Sequence, residues 1–419
     1  LSGLPGHPLN VKRPAQEPWF KLSALSAVYL VWGAIASLND LLIPYLKSEY
    51  SLDFSGAMRI QLVFYTAYFL LSIPCGMLAR RFGYRNGILT GLSIAIGGCL
   101  MMLLASQAAS FSVVLAAIFV LASGITLLQV SANPYATSLG PESSAPSRLT
   151  LVQSFHSLGT TIGPWIGAVL IFSVAATSPD TSDATPGSAI WRPYFALALV
   201  LFALAVLFLR MEPSRPAGGN TPFSIKAALR ANPRLLPGTF GIFCYVGAEI
   251  AIASFLVNYF VRTDILGLEY GAAGKLVSVY WGFALAGRFA GAVLLRRFRP
   301  QRMLLLYALV AAALVTTSIA GSGWFSAGAI LLVGFFNSIM FPTIFALTIR
   351  GSSRDDKPAA SGILCLGIVG GAVISQLQGY LADAIGLQLS FLLPVACYVY
   401  IIFLSATILN NEPDFRTTS

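Results

Sequence analysis

The chain has 419 residues, 56% of them hydrophobic and only 10% charged, with a formal net charge of +10 and a mean hydropathy of +0.77. Soluble domains carry roughly 25% charged residues, so this composition excludes a water-soluble fold and predicts an all-α membrane protein. The excess positive charge lies in loops between apolar stretches, which excludes nucleic acid as a partner, since that would need a clustered basic face on a soluble domain.

Residues 1–19 are polar and rich in Pro and lack the apolar core of a cleavable signal peptide. Apolar stretches of about twenty residues then recur along the whole chain, each long enough to cross the hydrocarbon core as a helix. Twelve spans are predicted. Six fall within residues 20–209: Phe20–Leu46, Ala57–Leu78, Gly87–Ser106, Phe111–Leu139, Leu149–Val174 and Trp191–Leu209. Residues 210–237 read as a linker, with Pro213, Pro216, Gly218 and Gly219, followed by an amphipathic piece, Phe223–Ala231, that carries Lys226 and Arg230 and suits a membrane surface. Six more spans fall within residues 238–409: Thr239–Phe260, Leu276–Leu295, Met303–Ala320, Phe325–Ile349, Ala359–Leu381 and Ser390–Leu409. Residues 410–419 form a tail. The runs are too long, and too little alternated, for barrel strands.

Basic residues set the orientation. With the N-terminus in the cytoplasm, roughly twenty Lys and Arg lie inside against five outside, among them Arg80, Arg81, Arg85, Arg296, Arg297, Arg299 and Arg302 inside. Both termini are then cytoplasmic. The five cysteines all sit in apolar spans and read as small packing residues, not as a disulfide or metal framework.

The two sets of six look alike. "RRFGYR" (Arg80–Arg85) follows the second span and "RRFRPQR" (Arg296–Arg302) the eighth; "NPYATSL" surrounds Pro134 in the fourth and "FPTIFAL" surrounds Pro342 in the tenth. Two pseudo-symmetric six-helix bundles, with a site at mid-depth between them, follow from that repetition. The two prolines either kink helices for packing or open the backbone beside a pathway.

Two acids, Asp40 and Glu249, stand deep inside apolar spans, one in each half; the other carboxylates fall in loops or at segment ends. A charge near the bilayer centre costs roughly 2.5–3.5 kcal/mol, so each must face an aqueous cavity or a partner, and the pair points to cation-coupled transport. Arg288 is the one base deep in a span and is expected to pair with an acid or with helix carbonyls. Glu142, in the "GPESS" loop, reads as a loop–helix contact that stabilises the inward-closed or the inward-open state.

Several longer runs carry a family likeness: "VWGAIASLNDLLIPYL" (Val31–Leu46), "QVSANPYATSLGPESSAPSRLTLVQSFHSLGTTIGP" (Gln129–Pro164), "YVGAEIAIASFLVNY" (Tyr245–Tyr259), "YWGFALAGRFAGA" (Tyr280–Ala292) and "FPTIFALTI" (Phe341–Ile349). They resemble the fucose–galactose–glucose:proton symporters of the major facilitator superfamily, and more the bacterial glucose/galactose transporters than the fucose symporter. The resemblance implies a bacterial inner-membrane importer, monomeric and without cofactor or bound metal, in which the two bundles rock about a hexose. It implies coupling to H+, with Na+ as the rival, and leaves L-fucose or N-acetylglucosamine as alternative sugars. The chain departs from the pattern at one essential place. Asp40 matches the helix-1 aspartate of the fucose symporter, but its helix-4 glutamate is Gln129 here, and Glu249 stands where that symporter has Gln. Arg80 likewise falls where the superfamily usually places the Asp of its gating motif.

A sugar has many hydroxyls and no charge, so its site needs amides and carboxylates that accept and donate, plus an aromatic face. Candidates are Asn39 beside Asp40, Gln129 and Asn133 on one face of the fourth span, Gln153 and His156 on one face of the fifth, and Tyr245, Trp281, Asn337 and Gln376 in the second half. Tyr280 could extend the aromatic wall. A channel would want a polar stripe along a pore. An enzyme would want a nucleophile–base set or a metal constellation, and His7 and His156 are the only histidines. No phosphate-binding loop suggests ATP-driven pumping. A carrier is therefore expected, with a channel or facilitative pore as the alternative of a different class.

Overall fold

The computed structural model describes residues 18–51, 54–108, 110–172, 191–212 and 224–409, with side chains described throughout except at 39–45, 47–49, 54–58, 164–172 and 408–409. The first bundle consists of α1 (Pro18–Glu49), α2 (Phe54–Phe82), α3 (Tyr84–Ala108), α4 (Phe111–Ser138), α5 (Ala145–Phe172) and α6 (Trp191–Arg210). A short helix, α7 (Ile225–Ala231), precedes the second bundle, in which α8 (Leu235–Val261), α9 (Tyr270–Arg297) and α10 (Pro300–Ala320) are each one span. The last three spans are broken: α11 (Gly323–Asn337) with α12 (Met340–Ile349), α13 (Lys357–Leu366) with α14 (Gly370–Ile385), and α15 (Leu387–Ser390) with α16 (Leu392–Phe403). Eleven spans are long and apolar enough to cross a membrane on their described residues alone, and the 28-residue α5 is the twelfth.

The breaks have identifiable causes. In an unbroken tenth span the Pro342 ring would press on the carbonyl of Ser338; the chain instead breaks at Ser338–Ile339, so Pro342 falls in the first turn of α12, where no N–H is needed. Pro134 is accommodated differently, inside an α4 that runs unbroken from Phe111 to Ser138. The related prolines therefore do different jobs. Between α13 and α14 a single 3-10 turn, Gly367–Val369, interrupts the helix at a glycine-rich point.

Small residues let helices approach closely where the site is built. A Cβ added at Gly33 of α1 would lie 2.0 Å from the carbonyl oxygen of His156, and one at Gly159 of α5 would lie 2.0 Å from that of Leu30. No side chain fits at either place, and the α1–α5 seam depends on both glycines. All five cysteines are buried and free.

The bundles meet over the half of the molecule that carries the basic loops. Ser147 Oγ of α5 donates to the Ala292 carbonyl of α9 at 2.5 Å, and Ser361 Oγ of α13 donates to the Val130 carbonyl of α4 at 2.8 Å. Gly362 of α13 packs so tightly on α2 that a Cβ there would lie 2.4 Å from the Ser72 carbonyl. Ion pairs close the rim: Arg80 with Asp356 at 3.4 Å, and Glu142 with Lys357 at 3.0 Å and Arg350 at 3.4 Å. The linker is fastened to the second bundle, where Asn232 Nδ2 donates to the Thr348 carbonyl and to Ser352 Oγ, both at 2.9 Å.

Candidate functional site

Glu249 lies near the middle of α8 and is 7% exposed; Arg288 lies two-thirds along α9 and is 8% exposed. Their nearest charged atoms, Oε1 and Nη2, are 3.7 Å apart, an ion pair too long to be a hydrogen bond. Arg288 gives its other terminal nitrogen, Nη1, to the hydroxyl of Ser157 on α5. One guanidinium thus joins an acid of its own bundle to a serine of the other. The pair is underfilled: Glu249 Oε1 and Arg288 Nε are buried without hydrogen-bond partners in the protein. Each such atom costs about 1–3 kcal/mol unless something polar reaches it.

Aromatic hydroxyls surround this pair. Tyr245, one turn before Glu249 on the same face, is 2% exposed, and its hydroxyl lies against both charges while falling outside hydrogen-bond geometry to either. A relay behind it fixes the α8 backbone: Tyr398 donates to Asn337 Oδ1 at 2.8 Å, Asn337 Nδ2 donates to the Tyr280 hydroxyl at 2.9 Å, and Tyr280 donates to the Glu249 carbonyl at 3.4 Å. Asn337 was a candidate for sugar contact, but the structure uses both ends of its amide on tyrosines and buries it completely. Trp281 is half-buried, its ring edge-on to Tyr280 at 5.3 Å.

The first bundle supplies the facing wall. Gln153 is buried one turn before Ser157, so it shares the α5 face that meets Arg288. His156 is half-buried and stands edge-on to Trp32 of α1 at 4.4 Å, and Trp32 in turn leans on Tyr29 at 5.2 Å. On α4, Asn133 and Gln129 share a face but not a situation. Asn133 accepts from the Tyr29 hydroxyl and donates to Cys365 Sγ of the other bundle at 3.9 Å. Gln129, one turn farther from the basic loops, has a buried Oε1 with no partner.

The structure therefore brings Gln153, His156 and Ser157 of one bundle to Tyr245, Glu249 and Arg288 of the other, while Trp281 stands beside Tyr280 and Gln129 lies one turn along α4 from Asn133. Gln376 is not gathered. Ile374 packs on Gly247 of α8, and Gln376, two residues on, is exposed on the opposite side of α14. The buried amide of this helix is Gln378, whose Oε1 and Nε2 both lack protein partners. Asn39 and Asp40 lie within α1, with side chains outside the described residues. Ser157, Trp32 and Gln378 were not singled out from the sequence. Only Trp32 leaves a trace there, as a second aromatic one turn from Tyr29 in a small-residue helix.

At the basic-loop rim, Glu142 does more than bind its own loop to a helix: it bridges to Arg350 and Lys357 of the second bundle. Burial pushes its carboxyl up, but the hydrogen bond and charge of Lys357 and the charge of Arg350 outweigh that and hold it below the usual carboxylate range. The loop is rigid because Arg148 donates to the carbonyls of Ala136, Thr137, Gly140 and Pro141.

Amides, an imidazole and aromatic faces around an incompletely satisfied ion pair can hold a small uncharged polyol and sense a cation. The sequence profile described as Major Facilitator Superfamily matches residues 25–375. The chain is 42% identical over 400 residues to the glucose/galactose transporter of Brucella abortus biovar 1, covering 95% of this chain and 96% of that one. It is 32% identical over 397 residues to the L-fucose-proton symporter of Escherichia coli, covering 90% of each. The crystal structure of FucP, described as a transporter of that superfamily in the outward conformation, superposes with a TM-score of 0.84 at 29% identity, covering 95% of this chain and all of that one.

Proposed function

The chain belongs to the major facilitator superfamily, and from that premise we propose that it imports a hexose, glucose or galactose, by symport with H+ across a bacterial inner membrane. The observation that carries this reading is the buried row Gln153, Ser157, Arg288 and Glu249, which sets an uncharged hydrogen-bonding surface directly against an ion pair across the bundle boundary. Gln129, Gln153, His156 and Asn39 take sugar hydroxyls, while Trp32, Tyr245 and Trp281 pack on the ring. Asn133 and Asn337 hold the walls in place. With the basic loops and both termini in the cytoplasm, the joined rim is the cytoplasmic gate, and sugar enters from the other side. The protein works as a monomer.

Proton coupling suits the charge layout better than sodium. Arg288 places a fixed positive charge beside Glu249, so a sodium ion there would meet a like charge in a site of low dielectric. Asp40 in α1 is then the proton carrier, and Glu249 with Arg288 links its state to the bundle contact. One charge moving down 100 mV supplies about 2.3 kcal/mol, enough for roughly 50-fold accumulation. An open channel fits poorly with a rim bridged by three ion pairs. The test is uptake into proteoliposomes with H+ and Na+ gradients imposed separately, using glucose, galactose, L-fucose and N-acetylglucosamine. Accumulation of glucose or galactose under the proton gradient alone is expected. Accumulation only with sodium, or of neither hexose, would refute the reading.

A further inference from the structure

Three polar atoms at the bundle boundary have nothing in the protein to bond to. Glu249 Oε1, Arg288 Nε and the Tyr245 hydroxyl are each buried without a hydrogen-bond partner, on side chains that lie against one another and are all more than nine-tenths buried. The three are chemically complementary. The carboxylate oxygen only accepts, the guanidinium N–H only donates, and the tyrosine hydroxyl does either. Their setting is fixed from outside. Tyr280 holds the Glu249 main chain, Ser157 takes the Nη1 end of Arg288, and the two charged side chains stay 3.7 Å apart between these anchors. Glycines bracket Arg288 on α9: Gly287 leaves no room for a Cβ beside the Phe335 carbonyl, nor Gly291 beside Ile339, so α9 is seated on the end of the tenth span's first helix above and below the guanidinium.

The charges decide what can satisfy these atoms. A cation at Glu249 would meet Arg288, and an anion at Arg288 would meet Glu249, each in a site of low dielectric. A neutral ligand that donates at one atom and accepts at the next meets no such conflict. The facing bundle offers it further neutral polar groups, with Gln153 buried one turn before Ser157 and His156 close enough to feel the charge of Arg288. We propose that Tyr245, Glu249 and Arg288 form a clamp for two adjacent hydroxyls of the sugar ring, one donating to Glu249 Oε1 and accepting from Tyr245, its neighbour accepting from Arg288 Nε. The clamp rests on the hexose reading above and narrows it: the substrate is a pyranose with a free vicinal diol, and removing or capping either hydroxyl of that pair excludes it. Hydrogen bonds to charged groups are roughly twice as strong as neutral ones, so the clamp outweighs the amides in selecting the sugar. Because the same guanidinium bonds Ser157 of the first bundle, a sugar held there also bears on the bundle contact.

Calorimetry on the purified full chain with glucose, galactose and each monodeoxy analogue of glucose tests this. In the wild type, two analogues that lack neighbouring hydroxyls should bind roughly 10- to 150-fold more weakly than glucose, since each leaves a buried charged group unpaired. In the double variant Glu249→Gln with Arg288→Gln, those two penalties should shrink to about fivefold or less, while penalties at the other positions stay as they were. A double variant that keeps the wild-type ranking of analogues would overturn the clamp and leave the pair a structural tie. Should the double variant bind no sugar, Tyr245→Phe carries the test, because it removes a hydroxyl that nothing in the protein uses. It should unfold as wild type does and relieve the penalty for one analogue of the pair by about fivefold, leaving the other unchanged. Equal affinities to wild type across the series, or an equal loss for glucose and every analogue, would overturn the proposal. A wild type that binds neither hexose refutes the transport reading and the clamp with it; a wild type that binds glucose with no penalised neighbouring pair refutes the clamp alone.

Discussion

Arg288 faces Glu249 at 3.7 Å within the second bundle while donating to Ser157 of the first. The two contacts have different fates in a rocking motion. A contact inside one bundle can persist through the whole cycle; a hydrogen bond across the boundary must break when the bundles part. Arg288 thus reports the relative position of the bundles to the one buried acid whose side chain is described at mid-depth.

Removing the guanidinium should leave Glu249 buried and alone. Arg288→Gln is expected to destabilise the protein by about 3–5 kcal/mol and to abolish uptake. Adding Glu249→Gln should return much of the lost stability, because two buried polar amides replace an orphaned charge. Thermal unfolding of the single and double variants in detergent decides the matter. A double variant as unstable as Arg288→Gln would mean that the pair is not coupled.

Gln129 and Asn133 provide an internal contrast, since they share a helix face. Asn133 already has Tyr29 and Cys365 as partners, whereas Gln129 Oε1 has none. Gln129→Ala should therefore weaken sugar binding by about 1–3 kcal/mol, roughly 5- to 150-fold, with little change in thermal stability. Asn133→Ala should do the reverse, lowering stability while leaving affinity for sugar nearer wild type. Calorimetry with glucose on both purified proteins, alongside unfolding curves, separates the two roles; a fall in affinity confined to Asn133→Ala would invert the assignment.

Much of this was legible in the residues. Spans of about twenty apolar residues, the two sets of six and the depth of Glu249 all follow from local composition, because a bilayer demands that each crossing segment satisfy its own backbone. Partners across helices were harder. Nothing local to Ser157 distinguishes it from the other serines of α5, and its meeting with Arg288 depends on how two bundles dock. The helix carrying Gln376 and Gln378 shows a different failure. The 3-10 turn at Gly367–Val369 shifts the helical phase, so which glutamine faces α8 could not be counted from the start of the span. Asn337 looked like a site residue because a buried amide in a membrane helix needs a partner; the tyrosines that satisfy it, Tyr280 and Tyr398, come from two other helices.

Asp40 bears on coupling directly. If it carries the proton, Asp40→Asn should lose accumulation against a gradient and yet keep exchange of labelled for unlabelled hexose, which requires only the sugar-bound half of the cycle. Proteoliposome uptake and counterflow on the same preparation test both halves. Concentrative uptake at the wild-type level would remove Asp40 from the mechanism.

The rim formed by Glu142, Arg350 and Lys357 should respond to acid with a definite sign. Glu142 has its carboxyl held below the usual range by Lys357 and Arg350, against the opposing effect of burial. A lowered value means that the carboxylate's contribution to the joined rim is fully present above the ordinary carboxylate value of about 4.3 and is lost as pH falls through the lowered one. The side chain is 55% exposed, so solvent screens the bridge and its worth is roughly 0–1 kcal/mol, less in high salt. Glu142→Gln should consequently shift the protein at neutral pH toward the state parted at the basic-loop face, by about fivefold or less in population. Spin-label distances between the basic-loop ends of α2 and α12 would read that shift. Wild type taken to a pH below that lowered value should approach the distances of the variant, which should itself be insensitive to that change of pH. A variant that still opens with acid as wild type does would place the acid-sensitive contact elsewhere on the rim, with Asp356, opposite Arg80, as the next residue to change.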